Sequence, residues 1–131
     1  MIEDPRVITG LAKLDNRGVL YAYEIDSSLS IPVKRVFFVS QAEKMVKRGG
    51  HAHRTCEQLI ISAIGTFNVK VTNKNSVFNF LLSGPENGLY IPKMNWVEFE
   101  NQDSNSVLMV CASHAYDPGD YIIELSDLIN E

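Results

Sequence analysis

The feature that most restricts this chain is a succession of short β-rich runs, each closed by turn-forming residues after about ten positions. Residues 66–72 read TFNVKVT, apolar and polar in strict alternation. Successive strand side chains point to opposite faces, so this run sets one face on a core and the other in water. Further β-rich runs occupy 19–25, 33–39, 59–64, 77–82, 89–92, 96–99 and 106–112. The stretch 73–76, NKNS, reads as a turn joining two runs into a hairpin, and 83–88, SGPENG, as a loop of chain breakers. Only the tail from 118 to 131 suits helix. Many short strands with little helix predict an all-β sandwich or barrel. At 131 residues, with no repeat and no linker, a single domain over 1–131 is expected.

Composition removes several classes of function. Apolar residues make up 45% and charged residues 21%, which is a globular balance. No window approaches the run of roughly 18 apolar residues that a membrane span needs. The start, MIEDP, lacks the basic and apolar parts of a signal peptide, so a cytoplasmic protein is expected. A net charge of −4 argues against a nucleic-acid partner but leaves room for a phosphorylated small molecule. Cys56 and Cys111 sit in apolar runs and read as buried thiols.

The chemistry concentrates in residues 48–58, RGGHAHRTCEQ. If this segment is extended, His51 and His53 share one face, and Glu57 joins them if the strand continues. Two imidazoles and a carboxylate on one wall can bind a metal or move protons. A lone histidine in a strand is ordinarily structural. A histidine pair behind two glycines, followed by a carboxylate, points to a site.

His51, His53 and Glu57, with Gly65 downstream, resemble the first motif of the cupins, which are jelly-roll barrels. The second cupin motif, Pro-x-Gly-x-x-His, meets 92–97, PKMNWV, so Met94 stands for the glycine and Val97 for the last metal ligand. Valine cannot ligate, so the histidines are expected to titrate freely, with no metal and no cofactor. The alternative is a metal-dependent cupin using His51, His53 and Glu57 as two imidazoles and a carboxylate. A closer likeness runs through 48–54 (RGGHAHR), 57–60 (EQLI), 88–92 (GLYIP) with Trp96, and 116–121 (YDPGDY). These segments look like those of the sugar 3,4-ketoisomerases, and 15–18 (DNRG) and 31–36 (IPVKRV) also fit.

That resemblance implies an isomerase acting on dTDP-4-keto-6-deoxyglucose in bacterial surface-sugar biosynthesis. The ketone moves from C4 to C3 through an enediol, and histidine, with an unperturbed pKa of about 6.5, suits the proton transfers. By the same resemblance His51 is the carbon base, and His53 holds the sugar or moves an oxygen-bound proton. Spacing does not decide which of the two removes the carbon proton. Arg35, Arg48 and Arg54 are candidates for the diphosphate, because arginine grips phosphate with paired hydrogen bonds. Arg17 is a candidate for the sugar rim, Glu57 for orienting a histidine, and Tyr90, Trp96 or Phe99 for stacking on thymine. The resemblance also implies a homodimer with an exchanged N-terminal strand.

The chain departs from the family pattern in two places. Where relatives carry tyrosine, the strand reads RVFF over 35–38, so Phe37 and Phe38 keep the ring and lose the hydroxyl. Val97 replaces a polar side chain. Arg17 fits the galacto-forming members, whereas Val97 fits neither stereochemical pattern. These departures keep a non-catalytic nucleotide-sugar binder in view. A 3,5-epimerase on the same sugar ranks lower, since its His–Asp and tyrosine context is not evident in the sequence.

Overall fold

A computed structural model describes residues 1–25, 31–40, 43 and 47–131. Ten strands form two five-stranded sheets, and every neighbouring pair is antiparallel. Sheet one runs in the order β1 (Arg6–Thr9), β9 (Asn87–Ile91), β6 (Gln58–Ile64), β11 (Val107–Ala112), β4 (Arg35–Val39). Sheet two runs β12 (Tyr121–Ile122), β5 (Lys47–His53), β10 (Trp96–Asn101), β7 (Thr66–Thr72), β8 (Val77–Ser83). From β4 to β12 the strands alternate between the sheets except at the β7–β8 hairpin, as in the expected jelly roll. Two further strands, β2 (Leu11–Asp15) and β3 (Gly18–Ala22), pair among the described residues only with each other.

The alternation read in 66–72 is realised in β7: Phe67, Val69 and Val71 are buried, while Asn68 and Lys70 are exposed. These three join Ile60, Leu82, Leu89, Ile91, Val97, Leu108 and Val110 between the sheets. The outer face of sheet one is covered as well. Leu59, Ile61, Tyr90 and Cys111 pack there with Ile31, Tyr23 and Val33. On the outer face of sheet two, Ala52, Trp96 and Ile122 pack with Leu128 of the short helix α1 (Leu125–Ile129). The turn at 73–76 forms as the sequence suggests, with Asn73 Oδ1 accepting from the amides of Asn75 and Ser76 at 2.9 and 3.0 Å.

Three parts differ from the sequence reading. Strands β1, β2 and β12 were not legible, because they are short or expose both faces and so carry no burial pattern. The run at 19–25 is strand only to Ala22. The tail holds just five α-helical residues, after a single 3-10 turn at Pro118–Asp120 and then β12. A helix that short is held by packing of Leu128 and not by propensity. Among the described residues no helix is long and apolar enough to cross a membrane.

Leu89 is wholly buried between the sheets. Leu89→Ala should lower unfolding stability by about 2–5 kcal/mol, measured by denaturant titration against wild type.

Candidate active site

The site begins with a distortion of β5. His51 lies opposite Val97 on β10, and the register shifts before the next pair, Glu98 opposite Gly49. Gly49 has φ +88°, and a Cβ there would lie 2.5 Å from the Val97 carbonyl oxygen. Only glycine accepts both the left-handed backbone and this approach. Beyond the bulge, Ala52 faces outward into the cluster with Trp96 and Leu128. Period-two alternation then turns His51 and His53 inward.

The two imidazole centroids are 5.2 Å apart with nearly perpendicular rings. The ring of Tyr121 stands against both, 4.8 Å from His51 and 4.5 Å from His53. Tyr121 is placed there by pairing with His53 in the β12–β5 ladder. His53 is buried, and its Nε2 is 3.5 Å from the Gln58 carboxamide nitrogen across the barrel. Its Nδ1 lies 3.4 Å from Asp120 Oδ2, an ion-pair distance without the alignment of a hydrogen bond. The small cavity beside these groups is also lined by Arg35, His114 and Tyr116. Arg35 rests its guanidinium 4.5 Å from the centroid of the Phe37 ring and 5.3 Å from that of Tyr116.

Burial sets the protonation of the pair. Desolvation pushes His53 down to about 4, and neighbouring His51 adds to the shift, while Asp120 opposes it. His51 is lowered too, first by burial, with a backbone hydrogen bond at Gly49 acting the other way. Burial alone would raise the Asp120 carboxyl. Hydrogen bonds from Thr55 and Cys56 outweigh it and hold Asp120 below the usual carboxylate range. At neutral pH the site is therefore two neutral imidazoles beside an anionic carboxylate, a base-ready arrangement.

Of the residues singled out in the sequence, the structure brings His51, His53 and Arg35 together. Glu57 does not share their face. The strand ends at His53, residues 54–57 turn, and Glu57 emerges on the other side of sheet one, accepting a 2.6 Å hydrogen bond from Tyr90. The three groups of the metal-dependent alternative therefore do not converge. Tyr90 itself packs on the outer face of sheet one, its hydroxyl raised by burial and by Glu57. Trp96 lies under α1 on the outer face of sheet two. Arg54 reaches the C-terminal Glu131. Arg48 lines a separate small cleft with Val39, Phe67 and Phe99. Arg17 sits on the β2–β3 turn, ion-paired to Asp15 at 2.6 Å, with its side chain 85% exposed. Phe37 packs toward the core, whereas Phe38 faces outward, so only the first bears on the site.

Met94, standing at the motif glycine, adopts φ +63°, so the backbone shape of the motif survives without its glycine. Sequence reasoning missed Gln58, His114, Asp120 and Tyr121 as a group around His53. The 116–121 segment was visible as a motif, but nothing local ties Asp120 to a residue 67 positions earlier. The sequence does not make a His–Asp and tyrosine grouping evident, yet in the structure Asp120 Oδ2 lies 3.4 Å from His53 Nδ1 and the Tyr121 ring stands against the same imidazole.

The chain matches the family model described as WxcM-like, C-terminal (FdtA) over residues 4–131. It belongs to that family. A curated relative, the TDP-4-oxo-6-deoxy-alpha-D-glucose-3,4-oxoisomerase of Aneurinibacillus thermoaerophilus, is 33% identical over 117 residues, 89% of this chain and 84% of that protein. The solved WlaRB TDP-quinovose 3,4-ketoisomerase from Campylobacter jejuni is 30% identical with a TM-score of 0.91, covering 99% of this chain and all of the other. The sugar 3,4-ketoisomerase QdtA from Thermoanaerobacterium thermosaccharolyticum, solved with TDP, is 29% identical with a TM-score of 0.88, covering 99% and 95% of the two chains. These two solved relatives share this jelly roll over nearly their whole length.

The titration of His53 has a consequence for stability. The unfolded histidine binds a proton near 6.5 and the folded one only near 4, so the unfolded state gains protons first as pH falls. Stability should be full above about pH 6.5 and decline toward pH 4. His53→Gln should flatten that decline in a thermal-melting series across pH.

Proposed function

We propose that this chain is a sugar-nucleotide 3,4-ketoisomerase acting on TDP-4-keto-6-deoxyglucose. The observation that carries the reading is the pair of inward-facing neutral imidazoles, with Arg35 beside His53. The names of the family relatives support the substrate. In this reading His51 removes the proton from C3, made acidic by the neighbouring ketone, and electrons flow into the C4 oxygen to give an enediol. The same proton or one from solvent returns at C4. His53 takes the proton of the C3 hydroxyl and delivers one to the former carbonyl oxygen. The C3 carbon is oxidised as C4 is reduced, so the reaction needs no outside electron acceptor. Arg35 meets the diphosphate. Val97, buried opposite His51, leaves an aliphatic wall that shapes the sugar site and transfers no proton. A nucleotide-linked substrate puts this work in the cytoplasm.

A second reading has a specific observation in its favour. The His53–Asp120 pair with Tyr121 would also serve a 3,5-epimerase, which removes protons beside the same ketone without moving it. Proton NMR of TDP-4-keto-6-deoxyglucose in D2O separates the two. Isomerisation yields the 3-keto sugar, with deuterium at C4 wherever the transferred proton exchanges with solvent, and the configuration there shows whether the product is galacto or gluco. Deuterium at C3 and C5 with the ketone still at C4 would replace the isomerase reading by the epimerase. Binding of TDP without exchange at any carbon would leave a non-catalytic binder. His51→Asn should slow conversion by about 100-fold or more.

We also propose a homodimer. The β2–β3 hairpin carries exposed apolar side chains on both faces, with Leu14 at 76%, Leu11 at 63% and Leu20 at 60% exposure. A lone two-stranded ribbon is marginal in water. Phe38 and Val36 form another exposed apolar surface on edge strand β4. A second copy of the chain covers such surfaces without a third component. Sedimentation should show a dimer for wild type and a monomer for the double variant Leu14→Lys, Leu20→Lys. A monomeric wild type at micromolar concentration would remove the pairing.

A further inference from the structure

Asp120 makes more contacts than a turn-bracing residue needs. Its Oδ1 accepts from the Thr55 amide at 2.9 Å and the Thr55 hydroxyl at 2.7 Å, and its Oδ2 accepts from the Cys56 amide at 3.1 Å. Each of these partners donates, so the group at 120 must be an acceptor on both oxygens, which an ionised carboxylate is and a carboxamide is not. The same Oδ2 faces His53 Nδ1, which is buried and makes no aligned hydrogen bond. A lone pair on Nδ1 would point at an anion. A proton there points at an acceptor.

We infer that Asp120 is a positioning residue for His53, holding its proton on Nδ1 and serving as counter-ion when the ring becomes charged during turnover. The inference rests on the isomerase reading for its place in the reaction. With Nδ1 protonated, the lone pair of His53 is on Nε2, which faces the Gln58 carboxamide at 3.5 Å. That contact is long enough for a substrate hydroxyl to take its place. When Nε2 accepts the hydroxyl proton, the ring becomes an imidazolium in a buried site. The charged and titratable groups around it are His51 on β5, Arg35 on β4, His114 and Tyr116 after β11, Asp120 in the 3-10 turn and Tyr121 on β12. His51 and Arg35 both oppose a positive charge on His53, and Asp120 favours it. A slight closing of the 3.4 Å gap converts the contact into a charge-assisted hydrogen bond. Asp120 itself gains no proton. Nε2 then returns its proton to the oxygen at C4, and the ring is neutral again.

The position of the proton can be read directly. In uniformly 15N-labelled protein without substrate, long-range 1H–15N correlation should show His53 as the Nδ1–H tautomer. Asp120→Asn should shift His53 toward the Nε2–H form and lower kcat at least about tenfold with KM changed less than about threefold. Thr55→Val removes one donor to the same carboxylate and loosens the same turn. It should lower the melting temperature while leaving the tautomer in place and kcat within about threefold of wild type. An Nε2–H tautomer in the wild type would overturn the inference, whether or not Asp120→Asn folds. So would Asp120→Asn with an unchanged tautomer, or Thr55→Val losing as much kcat as Asp120→Asn. Because the tautomer is read without substrate, it judges the Asp120 assignment even if isomerisation of the sugar is not found.

Discussion

The approach of the Val97 carbonyl to the backbone at Gly49 is the constraint on which the site depends. No side chain fits at 49, where a Cβ would meet that oxygen at 2.5 Å, and the register between β5 and β10 shifts at this point. A shift of one residue exchanges the inward and outward faces of a strand. The bulge therefore decides which way the rest of β5 points. Ala52, with no exposed surface, is then held outward by Trp96, Ile122 and Leu128. The histidines on either side of it have nowhere to go but the interior.

Placing two imidazoles inside an apolar barrel has a cost that the fold uses. Desolvation penalises the charged form, so both rings are harder to ionise than a free histidine, His53 being pushed down to about 4. A neutral ring keeps the lone pair that proton abstraction needs. In the proposed reaction the His53 ring carries charge for a moment, and Asp120 is placed to answer that requirement. It is itself kept ionised by three hydrogen bonds from the turn that follows β5. The strand carrying the base and the turn anchoring the carboxylate are thus consecutive in sequence. The carboxylate arrives from the C-terminal end of the chain.

Several assignments that look alike in the sequence separate in space. Arg35 and Arg54 are equally plausible phosphate ligands on paper, yet one rests on Phe37 and Tyr116 beside His53, and the other reaches Glu131. Glu57 was assigned to the histidine face on the condition that the strand continue. It does not, and Glu57 instead meets Tyr90 behind sheet one. Trp96 and Val97 are neighbours whose roles split by strand parity: Trp96 covers the outside, and Val97 lines the inside opposite His51.

The sequence by itself determined the all-β class, the turn at 73–76, the buried face of β7 and the pairing of His51 with His53. Each of these rests on period-two alternation or on turn chemistry, which act over a few residues. It also carried the family likeness, because spaced motifs are a property of the chain's order. Only the tertiary structure decided that Asp120 and Tyr121 close around His53, that Gln58 faces it across the barrel, and that Glu57 turns away. Those relations depend on which strands become neighbours and on where a strand stops. Sheet pairing joins residues 67 positions apart as readily as adjacent ones, so nothing in the local order of side chains encodes it.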